Sequence, residues 1–132
     1  VRWDAYTRGG CAIMPHMSAP VIGKLCAMIK LLPTEYKEYL ESSKILYGET
    51  SLDNADYFDL EPLHSIQELN NDIQINEYAP GFIAFATNGG GEVYAFDSAG
   101  EIFLLPLIGM ANDTTIKVAD SWQHFLNHVV ST

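Results

Sequence analysis

The chain has 132 residues and a net charge of −10, with 17 acidic residues against 7 Lys and Arg. Its length suits a single domain. Hydrophobic residues make up 48% of the composition, enough for a buried core, which excludes a largely disordered chain. No apolar run reaches the ~18 residues that span a membrane. An acidic surface repels nucleic acid and anionic membranes and attracts basic proteins, so we expect a protein partner.

The negative charge is concentrated in the later part of the chain. Between Ile45 and Thr132 there are 13 acidic residues and a single Lys or Arg, which is Lys117. Any basic partner is therefore expected to approach this part of the molecule, although acidity that only keeps the protein soluble would give the same composition.

Residues 1–17 show no helical or strand periodicity, and we interpret them as an irregular segment that could derive from cloning. We expect one domain over residues 18–132. The two cysteines, Cys11 and Cys26, lie close in sequence and could not staple the predicted sheet. We interpret them as free thiols of a cytoplasmic protein.

Two helices are predicted at the start of the domain. Ser18 can cap the first, which continues with apolar residues at helical spacing and ends before Pro33. Thr34 can cap the second, which ends near Ser43. We expect this helix pair to pack on a sheet.

The segment that follows carries weaker signals, from which we predict four short pieces. These are a loop over Tyr47–Asn54, a strand over Tyr57–Leu60, one or two helical turns that begin at Leu63 and end at Asn70 or Asn71, and a short extended piece around residues 73–75.

The clearest local pattern lies between Pro80 and Pro106. Three runs of strand-forming residues are separated by turns rich in Gly, Asn and Asp; the runs are Gly81–Thr87, Val93–Phe96 and Ile102–Leu105. Strands this close in sequence pair antiparallel, because a parallel crossover needs about a dozen residues or more. We predict a three-stranded meander at the centre of an antiparallel sheet.

The turn at Asn88–Gly91 could also be read as a phosphate-binding loop. Such loops usually lead into the N-terminus of a helix, whereas this one leads into Glu92 and a strand. Because a carboxylate at that point repels phosphate, we predict a hairpin turn and no cofactor.

The last part of the chain predicts an edge strand and a final helix. Ile116 and Val118 favour the strand, and Asp120 or Ser121 can cap the helix. The apolar stripe of this helix should pack on the sheet, and its members are Trp122, Phe125, Leu126 and Val129. The sum is an α+β fold with helices packed on one face of an antiparallel sheet.

His124 and His128 are four residues apart on the predicted final helix and could bind a metal ion together. Two ligands are too few for a dedicated zinc site. Helical spacing also places them away from the apolar stripe, so we expect both to face solvent and no metal to be bound.

Four carboxylates lie within nine residues of one another, around two aromatic residues. They could form a solvated strand edge, a docking surface for a basic protein, or a site for acid–base catalysis or a hard cation. Catalysis would require the acids to converge in a cleft with shifted pKa values, and we favour the first two interpretations. The candidate partner-binding residues are Asp53, Asp56, Tyr57, Asp59, Glu61 and Glu92.

Four fragments of the sequence, in order, resemble one known family. They are Leu32–Leu40, with the pattern LP..Y..; Tyr57–Leu60, followed by Ile66 and Asn70; Pro80–Asp97, with PGF and then GGG; and Ala119–Leu126. This set resembles the SUKH superfamily, the Smi/Knr-type domain, and covers about Leu31 to Val129.

The resemblance implies an α+β fold and a non-enzymatic function. Many bacterial members look like immunity proteins, which bind and silence a cognate toxin that often acts on nucleic acid, and fungal relatives are regulatory and interaction proteins. We therefore expect an immunity protein that neutralises a basic toxin, with an intracellular regulatory or scaffold protein as the alternative. The oligomeric state is left open.

Overall fold

The computed structural model describes residues 31–42 and 46–130. The irregular segment predicted over residues 1–17 and almost all of the first predicted helix lie outside these ranges. Within them, no helix is long and apolar enough to cross a membrane.

The described residues form seven strands, four α-helices and two short 3-10 turns. The strands are β1 (Tyr47–Thr50), β2 (Tyr57–Leu60), β3 (Ile83–Thr87), β4 (Glu92–Phe96), β5 (Ile102–Pro106), β6 (Ile116–Ala119) and β7 (Val129–Val130). The helices are α1 (Thr34–Ser42), α2 (Ile66–Asp72), α3 (Ile75–Tyr78) and α4 (Trp122–Asn127), and the 3-10 turns are Leu63–Ser65 and Asn112–Thr114.

All seven strands belong to one antiparallel sheet with the order β6-β5-β4-β3-β2-β1-β7. The α+β class and the antiparallel sheet are therefore confirmed. Strands β3, β4 and β5 are sheet neighbours in chain order, and Asn88–Gly91 connects β3 to β4. Gly89 and Gly91 both have positive φ in this connection, a conformation that glycine adopts without steric cost.

Three local predictions are wrong. Tyr47–Thr50 is strand β1 and not loop, because it pairs with β2 on one side and β7 on the other. The piece around residues 73–75 is not extended: the chain reverses at Gln74, which has φ of 54°, and enters α3. Val129 lies in β7 and not on the final helix, which ends at Asn127.

Both faces of the sheet carry a buried apolar cluster. Successive residues of β4 alternate between the clusters: Tyr94 and Phe96 belong to the larger, and Val93 and Ala95 to the smaller. Helices α1 and α4 contribute to the larger cluster. Helix α3 and Met110 cover the smaller, so the prediction of helices on one face only is wrong.

The larger cluster is centred on aromatic rings. Phe85 and Phe96 stack with their ring centroids 4.2 Å apart, and Tyr36 from α1 meets Trp122 from α4 edge-on at 4.7 Å. Trp122 is in turn stacked on Phe125 at 5.2 Å. These contacts tie both helices to the strands, since aromatic pairs add to the stabilisation that burial alone gives.

Asn70 of α2 completes the hydrogen bonding of β3 where β2 no longer runs beside it. Its side chain donates to the carbonyl of Ala84 at 2.9 Å and accepts from the Ala84 N–H at 2.7 Å. It also donates to the carbonyl of Ile66 in its own helix at 2.7 Å. One buried amide therefore substitutes for a strand partner and holds α2 against the sheet.

We predict that Asn70→Ala lowers the free energy of unfolding by about 2–4 kcal/mol, because it leaves the N–H and C=O of Ala84 buried without partners. Urea denaturation of both proteins measures the change. Asn71→Ala, at the exposed neighbouring position of the same helix, is the matched control and should change stability by less than about 0.5 kcal/mol. Equal effects of the two substitutions would contradict the role given to Asn70.

The hydroxyl groups of Tyr36 and Tyr94 differ in whether they form a hydrogen bond. The Tyr36 hydroxyl is buried and finds no hydrogen-bond partner in the part of the chain that the structure describes. Burial, followed by the charge of Glu61, raises the pKa of Tyr36 well above its usual value. The Tyr94 hydroxyl instead donates to the carbonyl of Tyr57 at 2.8 Å.

Removing the two hydroxyl groups should therefore have effects of different sign. We predict that Tyr36→Phe keeps the free energy of unfolding or raises it by up to about 1 kcal/mol, and that Tyr94→Phe lowers it by about 1 kcal/mol. Each variant is compared with the parent protein by urea denaturation at neutral pH. A clear loss of stability in Tyr36→Phe would show that its hydroxyl has a partner.

Candidate functional site

The described residues cover only part of the second sheet face, which is the face that carries the smaller apolar cluster. Over β3–β5 this face is covered by the smaller apolar cluster, but its continuation on β1 and β2 is exposed. The register shows the continuity: Asp59 lies opposite Thr87, and Thr87 lies opposite Val93, which belongs to the smaller cluster. We call the exposed part the open strand face, and its side chains are Tyr47, Glu49, Tyr57 and Asp59.

Tyrosines and carboxylates alternate on the open strand face. Tyr47 lies directly opposite Asp59, and Glu49 lies directly opposite Tyr57. Tyr47 is 65% exposed and Tyr57 is 38% exposed. Each ring therefore has a carboxylate across the strand pair and another two positions along its own strand.

The position of Tyr57 is fixed by two contacts with the meander strands. Its carbonyl accepts the hydrogen bond from the Tyr94 hydroxyl at 2.8 Å. Its ring lies beside the β3–β4 turn, where a Cβ added to Gly89 would stand 3.7 Å from Cδ2 of the ring. Glycine at this position thus leaves that edge of the ring uncovered.

The β3–β4 turn is itself held by Asn88. The side-chain oxygen of Asn88 accepts from the backbone N–H groups of Gly90 and Glu92, at 2.9 and 3.1 Å. Its side-chain nitrogen donates to the Glu92 carboxylate at 2.9 Å. Glu92 precedes Val93 in β4, so its side chain lies on the sheet face opposite to the open strand face.

The structure brings only some of the six predicted contact residues together. Tyr57 and Asp59 lie on the open strand face, and Asp53 and Asp56 are exposed in the β1–β2 connection next to it. Glu61, which follows β2, is half-buried, and the half-buried Glu92 does not share that face.

Sequence reasoning missed Tyr47 and Glu49, because the prediction of a loop over Tyr47–Asn54 hid their alternation with Gly48 and Thr50. The pattern Tyr-Gly-Glu-Thr is the signal that could have found them. In the structure the first and third residues of this pattern are exposed and the second and fourth are buried, as in any strand with one open face.

Carboxylates near β2 contribute to the pKa shifts of two groups there. Burial, followed by repulsion from Asp59 and Glu68, raises the pKa of Glu61. Burial, and to a smaller extent the charges of Asp56 and Glu92, raises the pKa of Tyr94 to about 12. Burial is the largest cause of both shifts, and neighbouring carboxylates add to it.

The one Lys or Arg after Ile45 forms ion pairs with carboxylates outside the open strand face. Lys117 forms ion pairs of 2.8 Å with Glu101 and with Asp120, at the β5–β6 side of the sheet. The carboxylates of the open strand face thus receive no neutralisation from it.

A shallow cleft of about 420 Å³ lies between the β1–β2 connection and the final helix, and it contains Asp53, Lys117, His124 and His128. The two histidines, which were predicted to face solvent, line this cleft and are half-buried, and their rings meet edge-on with centroids 5.0 Å apart. Nδ1 of His124 accepts from the N–H of Asp120 at 2.9 Å. In the ranges 31–42 and 46–130, no group of three or more His, Cys, Asp or Glu is placed to hold a metal ion.

The carboxylates of the β1–β2 region do not converge in this cleft. Asp53 lines it, whereas Asp59 lies on the open strand face and Glu61 lies beyond the end of β2. The arrangement that acid–base catalysis requires is therefore not formed by these side chains. What the geometry offers instead is an exposed surface with aromatic and acidic groups.

Comparison with known proteins agrees with the fold. The model of the SMI1 / KNR4 family (SUKH-1) matches residues 29–128, which include all the described elements from α1 to α4. A search of curated proteins finds no match to the sequence. Because the family model covers most of the chain, and in the region where the resemblance was found, the protein belongs to the SMI1 / KNR4 family (SUKH-1).

Proposed function

We propose that this protein is a non-enzymatic, cytoplasmic immunity protein, which binds a cognate toxin with a basic, nucleic-acid-acting surface and blocks that surface. The observation that carries the proposal is the open strand face, where two exposed tyrosines and two carboxylates share one side of β1 and β2. Membership of the SUKH-1 family is consistent with this function, and domains of the family are generally non-enzymatic.

The composition of the surface suits a protein partner. Tyrosine is enriched at positions that dominate binding energy, because it offers a large contact area at a small entropic cost. The surrounding carboxylates favour a basic partner and accelerate its association. A toxin that grips nucleic acid presents a basic groove, and an acidic surface of this kind can occupy it.

The proposed contact surface extends the earlier candidates. Tyr57 and Asp59 form its centre together with Tyr47 and Glu49, and the exposed Asp53 and Asp56 extend it along the β1–β2 connection. Glu61 and Glu92 act at longer range, through their charge, because both side chains are half-buried.

The partner is first recovered by a pull-down from a lysate of the source organism, with the 132-residue protein as bait at low and moderate salt. One basic toxin domain recovered in near-stoichiometric amount would support the proposal. Recovery of endogenous regulatory proteins without a toxin would favour a regulatory or scaffold function instead.

We then predict that Asp56→Lys/Asp59→Lys weakens binding of the recovered partner at least about tenfold and reduces the salt dependence of its affinity, because close charge pairs at interfaces couple strongly. Isothermal titration calorimetry at two salt concentrations measures both effects. Glu77→Lys/Asp113→Lys is the matched control, since it changes the net charge equally at exposed sites on α3 and in the second 3-10 turn. If the two double variants lost affinity equally, the open strand face would not be the contact.

A further inference from the structure

The two tyrosines of the open strand face differ from three other described tyrosines in their ring contacts. Tyr36, Tyr39 and Tyr94 pack their rings against other aromatic residues. Within residues 31–42 and 46–130, Tyr47 and Tyr57 make no contact of this kind. Tyr47 is 65% exposed and Tyr57 is 38% exposed, so part of each ring is accessible to a partner.

Each of these tyrosines has a carboxylate residue as its cross-strand neighbour. In an antiparallel pair, residues directly opposite each other have Cβ atoms about 5 Å apart, and residues two apart on one strand point the same way. Asp59 is thus the cross-strand neighbour of Tyr47, and Glu49 is the cross-strand neighbour of Tyr57. A cation stacked on either ring would have a carboxylate within reach of its edge.

We propose that the open strand face binds an arginine side chain of the partner, with the guanidinium plane on a tyrosine ring and its N–H groups donating to Asp59 or Glu49. This inference rests on the proposed function, because it names the partner chemistry of the same surface. The atoms involved are the ring of Tyr47 with the carboxylate of Asp59, and the ring of Tyr57 with that of Glu49.

Arginine fits this surface better than lysine for two reasons. A guanidinium is planar and weakly hydrated, so it can stack on an aromatic ring and still present donors at its edge in a fixed fork. An ammonium is compact and strongly hydrated, and it contacts a ring only as a point charge. Gly89 adds to the fit, because a side chain at that position would lie against the ring of Tyr57.

The test is an NMR titration of the full ¹⁵N-labelled chain at low salt with three matched peptides. Their sequence is acetyl-Gly-Ser-X-Ser-Gly-amide, where X is arginine, lysine or citrulline, the last of which has the shape of arginine without its charge. We expect shift changes centred on β1 and β2, and binding of the arginine peptide at least about threefold tighter than that of the lysine peptide. The citrulline peptide should cause no measurable shifts.

Variants separate ring stacking from charge. Tyr47→Leu/Tyr57→Leu should abolish the preference for arginine over lysine, whereas Tyr47→Phe/Tyr57→Phe should retain it, because phenylalanine keeps the aromatic ring. Asp59→Asn should weaken both charged peptides. Asp113→Asn, which makes the same change of net charge at an exposed site in the second 3-10 turn, should leave both unchanged.

Equal binding of the arginine and lysine peptides would overturn the inference, as would a preference that survives in the leucine variant or the absence of binding by any peptide. None of these results would remove the proposed function, which is decided by the identity of the recovered partner and by charge reversal. Conversely, the protein could prefer the arginine peptide while the recovered partner binds the charge-reversal variant with unchanged affinity. That result would retain the inference and reject the proposed function.

Discussion

The structure depends on how the edge of β3 that faces β2 is shared between two partners. Near one end of the strand, residues Ala86 and Thr87 pair with β2; at Ala84 the buried side chain of Asn70 takes over. The pairing of β3 with β4 shifts register between Ala84 and Ala86, where the change of partner occurs. β2 can therefore end before β3 does without leaving the backbone polar groups of β3 unpaired, and α2 and α3 can be accommodated beside it.

This arrangement divides the second sheet face into a covered part and an open part. Helix α3 and the segment around Met110 bury the face over β3–β5, while β1 and β2 continue past them. The same strand β2 then supplies Phe58 and Leu60 to the core and presents Tyr57 and Asp59 to solvent. The surface is consequently held by some of the most deeply buried side chains of the domain.

The parts of the fold that could be predicted from the sequence are those with local causes. Between Gly81 and Leu105 the predicted strand bounds differ from the observed ones by at most two residues, because tight turns with glycine set them. Strand β7 could not be predicted in this way, since it pairs with β1, far away in sequence. Strand β1 pairs with the nearby β2, but the connection between them contains no glycine turn. Gly48 weakened the strand signal of β1 further, although its backbone pairs with Phe58.

The candidate site was predictable in part for the same reason. The acidic cluster is visible in the composition of residues 53–61, but which of its members share a face follows from the register of β1 on β2. The charge pattern grouped Glu61 and Glu92 with Asp59. Such a pattern does not show which face of a sheet a side chain occupies.

The link between Tyr94 and Tyr57 has a consequence for how the surface could change over evolutionary time. Tyr94 holds the carbonyl of position 57 and not its side chain, so the anchor is indifferent to which amino acid stands there. The outward residues of β1 and β2 are likewise absent from the core clusters. Substitutions at these positions can therefore change the exposed surface while the scaffold stays intact.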